Sequence, residues 1–246
     1  MIILASDTST SMGSVALRGP EGKVLREDLN SAKPHSETLL PAVERILVRA
    51  GVTRKDVQAI AVGTGPGAFT GLRVGLATFK AWAAATGLPL IPVVSMDAVA
   101  WPVLKEGSSA VVLADARKGE VYAAYYPSLE EGALPRMQGE VMLIPHDRVS
   151  NWVSSFNDPD TRLVGTGLSL LDEKGLLDDL GKVAGGSGAP DAAWILALAE
   201  TFFSLGRTVD PSGLVPCYVR PPDAKKPSPG TMVSGTPEAG ENSDSS

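Results

Sequence analysis

Two similar α/β halves, each a mixed sheet flanked by helices, are what this 246-residue sequence predicts. Three observations predict them. Strands come first as a triplet and then alternate with helices, a pattern that places helices on the faces of a mixed sheet. The pattern restarts near residue 109, as a duplication would. An apolar content of 43% suits buried cores, and no apolar run approaches the roughly 18–20 residues of a membrane span.

The triplet opens with residues 2–6, "IILAS", turns at "STSMG", returns through 14–19, "SVALRG", and after "EGK" runs through 24–29, "VLREDL", with partial alternation. "HSETLLPAVERILVRAG" predicts a helix over 36–50. Its apolar positions Leu39, Leu40, Val43, Ile46, Leu47 and Ala50 follow helical spacing. Ser36 or Thr38 is a candidate cap, and Gly51 a candidate end. Pro41 is tolerated near the start, where N–H groups mostly lack intrahelical partners. "VQAIAVG" (57–63) reads as a buried strand, "LPLIPVVS" (88–95) as another, and "MDAVAWPVLK" as a short helix. Between those strands lies "GTGPGAFTGLRVGLATFKA", a glycine loop leading into a helix over 70–86.

The second half begins with "SAVVLADARKGEVYAAYY" (109–126), read as strand, turn, strand. Set beside the N-terminus, each segment has an apolar strand ending at Asp, a turn, a glycine and a second strand. Asp7 then corresponds to Asp115, and Gly13 to Gly119. A strand near 138–144, a helix near 146–155, strand and turn at 161–167 and a helix over 191–206 follow. The expected division is a first lobe at 1–105, a second at 106–220, and a tail at 221–246. The tail is rich in Pro, Gly and Ser and too poor in large apolar residues to offset its ordering entropy, so disorder is expected there.

Composition narrows the chemistry. The formal charge is −6, and no basic block supplies the phosphate contacts on which nucleic-acid binding draws. Cys217 is the only cysteine, which fits a reducing compartment, and the N-terminus lacks the positive region of a signal peptide. A cytoplasmic protein is expected. The chain has two histidines, His35 and His146, in no H-x-x-x-H or H-E-x-x-H pattern. A lone histidine near a helix start reads as a capping or surface residue.

The glycine loop is not a P-loop, because Leu72 and Arg73 stand where Lys and a hydroxyl residue are needed. Nor is it a dinucleotide fingerprint: the spacing is G-x-G-x-G, and Pro66 removes an N–H. Gly63, Gly65 and Gly67 read as the turn between strand and helix, with Thr70 as a candidate cap. Gly71 and Gly75 lie four apart on one helix face. Each costs about 1 kcal/mol relative to Ala, so close packing is the expected return. The residues leave open whether the neighbour is this protein's own sheet or a partner helix. Asp7 and Asp115 have two readings as well: they hold a metal–nucleotide across a cleft, or each accepts from its own turn backbone.

The ordered segments "ILASDTSTSMGSVAL", "HSETLLPAVERIL", "IAVGTGPGAFTGLRVGLATFKAWA", "PVVSMDAVA", "LADARKGEVYAAYY" and "PCYVR" resemble the TsaB, or YeaZ, family of tRNA threonylcarbamoyladenosine biosynthesis proteins over residues 1 to about 220. The resemblance implies a two-lobed fold of the acetate/sugar kinase–Hsp70–actin class. It implies a non-catalytic accessory subunit that binds and activates the transferase TsaD together with the ATPase TsaE. It implies a homodimer when alone, tRNA reached only through the complex, and no cofactor of its own, ATP or ADP being held only in that complex. The alternative is an active nucleotide-dependent enzyme or a glycoprotease-type metallopeptidase, the older family label. TsaD-like proteins carry an H-x-x-x-H metal pair at the place that reads "VVSMDAVA" here, so Ser95 and Val99 stand at the histidine positions. Neither replaces imidazole as a ligand, and no metal site is expected. Asp7, Thr8, Ser9 and Asp115 are expected to be a vestigial nucleotide site. Leu39, Val43, Ile46, Leu47, Gly71, Gly75, Phe79 and Trp82 are expected to face the partner in a four-helix bundle.

Overall fold

The computed structural model describes residues 1–130, 132–177 and 180–220. The segment read as a tail, 221–246, lies outside the described residues. In the first half, β1 (Ile3–Asp7), β2 (Ser14–Arg18) and β3 (Val24–Asp28) form an antiparallel meander. Then come α1 (His35–Arg49), β4 (Ala59–Gly63), α2 (Phe69–Thr86) and β5 (Leu90–Val93), with β4 and β5 parallel to β1. The chain crosses through α3 (Ser95–Lys105). The second half repeats the pattern with β6 (Ala110–Asp115), β7 (Glu120–Tyr126), β8 (Met142–Pro145), α4 (Val149–Ser154), β9 (Arg162–Val164), α5 (Leu168–Asp172), β10 (Lys182–Val183) and α6 (Ala192–Ser204).

The sheet orders are β3-β2-β1-β4-β5 and β10-β9-β6-β7-β8. Read from the other edge, the second is the first repeated, with the same antiparallel and parallel pairings. Asp7 and Asp115 therefore end corresponding strands, as the internal match predicts. The short α5 and β10 have no counterpart in the sequence reading, because five- and two-residue elements leave no periodicity to detect.

Period-two alternation splits the first sheet into two faces. Leu4, Val15, Leu17, Ile60 and Val62 point to one side and pack with Leu39, Val43, Ile46 and Leu47 of α1 and Leu76 and Phe79 of α2. Ile3, Ala5, Ala16, Ala59, Ala61, Ile91 and Val93 point to the other and pack with Ala192, Ile195, Leu196, Leu198 and Ala199 of α6. Four alanines on that face let α6 lie close. On the second sheet, Val112, Tyr122, Ala124 and Tyr126 meet Met96, Val99, Val103 and Leu104 of α3. Val111, Leu113, Val121, Ala123 and Tyr125 face Val149 of α4 and Leu171 of α5.

The boundary expected near residue 105 falls between β5 of the first sheet and β6 of the second. α6 returns from the second half to cover the first sheet. Arg18 pairs with Glu200, and Arg26 pairs with Asp191 at 2.7 Å, fastening α6 to β2 and β3. Two cap expectations change as well. α1 begins at His35 without a side-chain cap, and Thr38 Oγ1 donates back to Pro34 O at 3.3 Å. α2 begins at Phe69 without a side-chain cap, so Thr70 lies inside the helix; Ala68 N donates to Ser9 O at 2.6 Å. Gly51 does follow the end of α1, with φ of +66°.

Candidate functional site

Residues 7–9 leave β1 and enter a slot walled by glycines. A Cβ on Gly63 would sit 1.9 Å from Asp7 Oδ2, on Gly67 2.2 Å from Ser9 O, on Gly71 2.2 Å from Thr8 O, and on Gly75 2.3 Å from Thr8 Oγ1. Thr8 Oγ1 donates to Gly71 O at 2.9 Å. The neighbour of the Gly71/Gly75 face is thus this chain's own Thr8 and not a partner helix. The glycines of the loop do more than turn the chain: Gly63 and Gly67 make the same room.

The rest of the expected partner stripe is also corrected. Leu39, Val43, Ile46, Leu47 and Phe79 are at most 2% exposed and form the core beneath α1 and α2. Trp82 is half-buried and stacks on Phe79 at a centroid distance of 6.3 Å. The same helical spacing that marks an amphipathic face marks the face that covers a sheet, and here the sheet holds it. Outward from α1 point Leu40 and Val48; outward from α2 point Phe69, Arg73, Ala77, Ala81 and Ala85.

Asp7 is fully occupied within the slot. Ser9 N donates to Oδ1 at 2.7 Å, Ser9 Oγ to Oδ1 at 2.6 Å, and Ser95 Oγ to Oδ2 at 2.6 Å, while Gly65 N donates to Ser95 Oγ. Burial pushes the Asp7 carboxyl above its ordinary range, and the Ser9 and Ser95 donors pull against it. Asp7 and Thr8, both 1% exposed, do not reach the cleft between the lobes; Ser9 and Asp115 do. Asp115 Oδ1 accepts from Arg117 N at 2.7 Å, and its other oxygen lies 3.4 Å from Arg117 Nε. Asp115 thus lines the cleft while Asp7 lies beneath it. Each carboxylate accepts from its own turn backbone, and Asp7 accepts from Ser95 of α3 as well.

Ser95 and Val99 both line the cleft. Among the described residues no three His, Cys, Asp or Glu side chains gather where a metal could sit. The histidines are not surface residues. His35 Nε2 donates to Thr10 O at 2.7 Å, steadying the loop after the slot, and His146 is buried with neither ring nitrogen partnered.

The cleft encloses about 800 Å³. One wall is the loop Ser9–Met12 with Pro66–Phe69; the floor is Met96, Val99, Val112 and Tyr122; the far wall is the β6–β7 turn, Ala116–Lys118. The segment Cys217–Arg220 closes one side, held by Cys217 N donating to Thr64 O at 2.8 Å and by the Arg220–Glu120 pair. At the mouth Phe69 and Tyr218 lie 5.5 Å apart, and the Arg73 guanidinium packs 3.9 Å over the Phe69 ring. Below the floor, Asp97 of α3 accepts from Tyr126 Oη at 2.7 Å, and burial pushes its carboxyl up to about 6. Sequence reasoning missed Phe69, Tyr218 and Asp97. "PCYVR" was visible only as a shared segment, and nothing local ties Tyr218 to a helix 145 positions away.

Two duplicated sheets with a cleft between them place the chain in the acetate/sugar kinase–Hsp70–actin class. Comparison with known proteins narrows this. A family model described as TsaD, tRNA N6-adenosine threonylcarbamoyltransferase, matches residues 29–141. The tRNA threonylcarbamoyladenosine biosynthesis protein TsaB of Escherichia coli K12 is 35% identical, covering 94% of this chain and 99% of its own. That of Bacillus subtilis 168 is 28% identical over 92% and 96%. The solved structure of YeaZ from Pseudomonas aeruginosa is 32% identical, with a TM-score of 0.76, covering 89% of this chain and 99% of its own. The chain belongs to the TsaB (YeaZ) family, and its function lies in the biosynthesis of tRNA threonylcarbamoyladenosine. No helix among the described residues is long and apolar enough to cross a membrane.

Proposed function

We propose that this chain is a non-catalytic, cytoplasmic subunit that binds the threonylcarbamoyltransferase TsaD through the outward faces of α1 and α2 and acts with the ATPase TsaE. The observation that carries the reading is the pair of outward faces. Leu40 and Val48 on α1, and Ala77 and Ala81 on the adjoining α2, are exposed above a core that needs none of them. Small side chains on one helix let a partner helix approach closely. The same face serves a homodimer when TsaD is absent. Chemistry in the cleft is disfavoured: Asp7 lies beneath it, the Ser95 hydroxyl is spent on Asp7, and Val99 offers no ligand atom. ATP or ADP serving the transfer reaction is held by the assembled complex, and tRNA is reached only through it.

Substituting Gly71 and Gly75 would not test the interface, because it strikes Thr8. The paired change Ala77→Glu and Ala81→Glu does test it. Both positions are exposed, so stability should move by no more than about 0.5 kcal/mol each. Copurification with TsaD should be lost at an unchanged melting temperature. A complex that survives the double change overturns the interface, and ATP turnover by the isolated chain overturns the non-catalytic assignment.

A further inference from the structure

After α6 the chain turns at Gly206, with φ of +69°, and runs back over the first half as a strap. Val209 N donates to Leu90 O at 2.9 Å, covering the free edge of β5. Pro211–Gly213 makes one short turn against α2. Leu214 then enters the core beneath α1 and α2, and Lys80 Nζ of α2 donates to its carbonyl at 2.6 Å. Cys217 N donates to Thr64 O at 2.8 Å, Tyr218 lies on Phe69, and Arg73 Nε donates to Tyr218 Oη at 3.4 Å. Val219 packs against the core between α3 and the second sheet, and Arg220 pairs with Glu120, the first residue of β7. Leu214 and Val219 therefore root one short segment in the cores of both halves.

From Leu214 to Tyr218 the strap belongs to no helix or strand. It has no ladder of its own, so its place is set by these contacts, and such segments open at less cost than the whole fold. Its anchor points on α2 share one flank. Phe69, Arg73 and Lys80 fall within about 40° of one another around the helix at about 100° per residue, over about 16 Å of its length. Ala77 and Ala81, outward residues of α2, lie next to that flank on the same helix. Val215 and Tyr218 of the strap stay exposed, at 69% and 42%. A helix seated on the outward face of α2 therefore borders the strap.

We propose that this strap couples α2 to the second sheet. An occupant of the outward face of α2 holds the strap down, and the strap, through Arg220 and Glu120, holds the turn between β6 and β7. That the occupant is TsaD rests on the reading above; the coupling is a property of this chain alone. A tie broken at the α2 end lets the strap lift more often, and so loosens a turn on the other sheet.

Cys217 lies in the strap and is the only cysteine, so its labelling by a maleimide times the lifting of the strap on the full chain. Hydrogen exchange over residues 116–121 reports the turn. Lys80→Met keeps the apolar stem and removes the donor to Leu214 O. It should speed both labelling and exchange at 116–121, each by about threefold. Arg220→Ala should speed exchange at 116–121 by about tenfold, and adding Lys80→Met to it should change nothing more there, because the turn is already released. Circular dichroism checks that the variants fold, and exchange in β1 should stay as in wild type. TsaD should slow exchange at 116–121 in the wild type and leave it unchanged in Arg220→Ala, which still copurifies with TsaD. The coupling is overturned if Lys80→Met leaves exchange at 116–121 unchanged, if its effect persists in full beside Arg220→Ala, if β1 loosens as much as the turn, or if TsaD bound to Arg220→Ala still slows the turn as in wild type. If no TsaD complex forms, the partner reading falls, and the two substitutions on the chain alone still decide the coupling.

Discussion

At Gly71 the difference between hydrogen and methyl decides whether β1 can leave its sheet along its present path. A Cβ there would lie 2.2 Å from the Thr8 carbonyl oxygen. Backbone cannot move aside as a flexible side-chain end can, so the helix or the loop must shift. Gly71→Ala is therefore expected to cost about 3 kcal/mol in urea denaturation, at the upper end for overpacking. The outward control Ala77→Gly should cost only about 1 kcal/mol, the helix-interior preference for Ala. Equal losses at the two positions would mean that the slot is not tight. The sequence shows that two glycines share a helix face; it does not show that Thr8, more than sixty positions earlier, fills the space.

At the scale of elements, α3 is the piece that both halves share, and Asp97 is where it meets the second sheet. Its carboxyl is buried against Tyr126 at the end of β7 and is pushed from 3.8 to about 6. The folded chain therefore holds this proton more tightly than the unfolded chain does. The contribution is fully present below pH 3.8 and is lost as pH rises through about 6. At neutral pH the charged carboxylate opposes folding, by at most about 3 kcal/mol at about 1.4 kcal/mol per pH unit. Asp97→Asn keeps an acceptor for the Tyr126 hydroxyl and removes the charge. It should stabilise the protein in urea denaturation at pH 8, and the gain should close near pH 4. A gain that does not change with pH would assign the effect to packing. The helical pattern of "MDAVAWPVLK" places Asp97 on α3, but its burial comes from β7, whose tyrosine arrives only with the second sheet.

At the scale of the molecule, the two halves repeat one topology, and an element of the second covers a sheet of the first. The inner face of the first sheet, Ile3, Ala5, Ala16, Ala59, Ala61, Ile91 and Val93, is closed by α6 from near the end of the described chain. A fragment of residues 1–105 leaves this apolar face bare, and exposed apolar surface of that kind drives association. The fragment is expected to give no cooperative thermal transition and to aggregate, while supplying residues 191–220 as a second chain should restore solubility. A fragment that melts cooperatively by itself would show that the first lobe is autonomous after all.

The sequence by itself determined the strand and helix order, the duplication, the matching of Asp7 to Asp115, and the family, because alternation, helical spacing and glycine turns are local and written residue by residue. It also held both readings of the carboxylates and both neighbours for Gly71 and Gly75. Only the tertiary structure names the neighbour of Gly71 and Gly75. An apolar or glycine-lined helix face states that something packs there without saying what, and here its occupant is the chain's own sheet and Thr8. The same holds for the cleft: Thr10, Phe69, Arg117 and Tyr218 lie in four distant segments and line one space only in the folded chain.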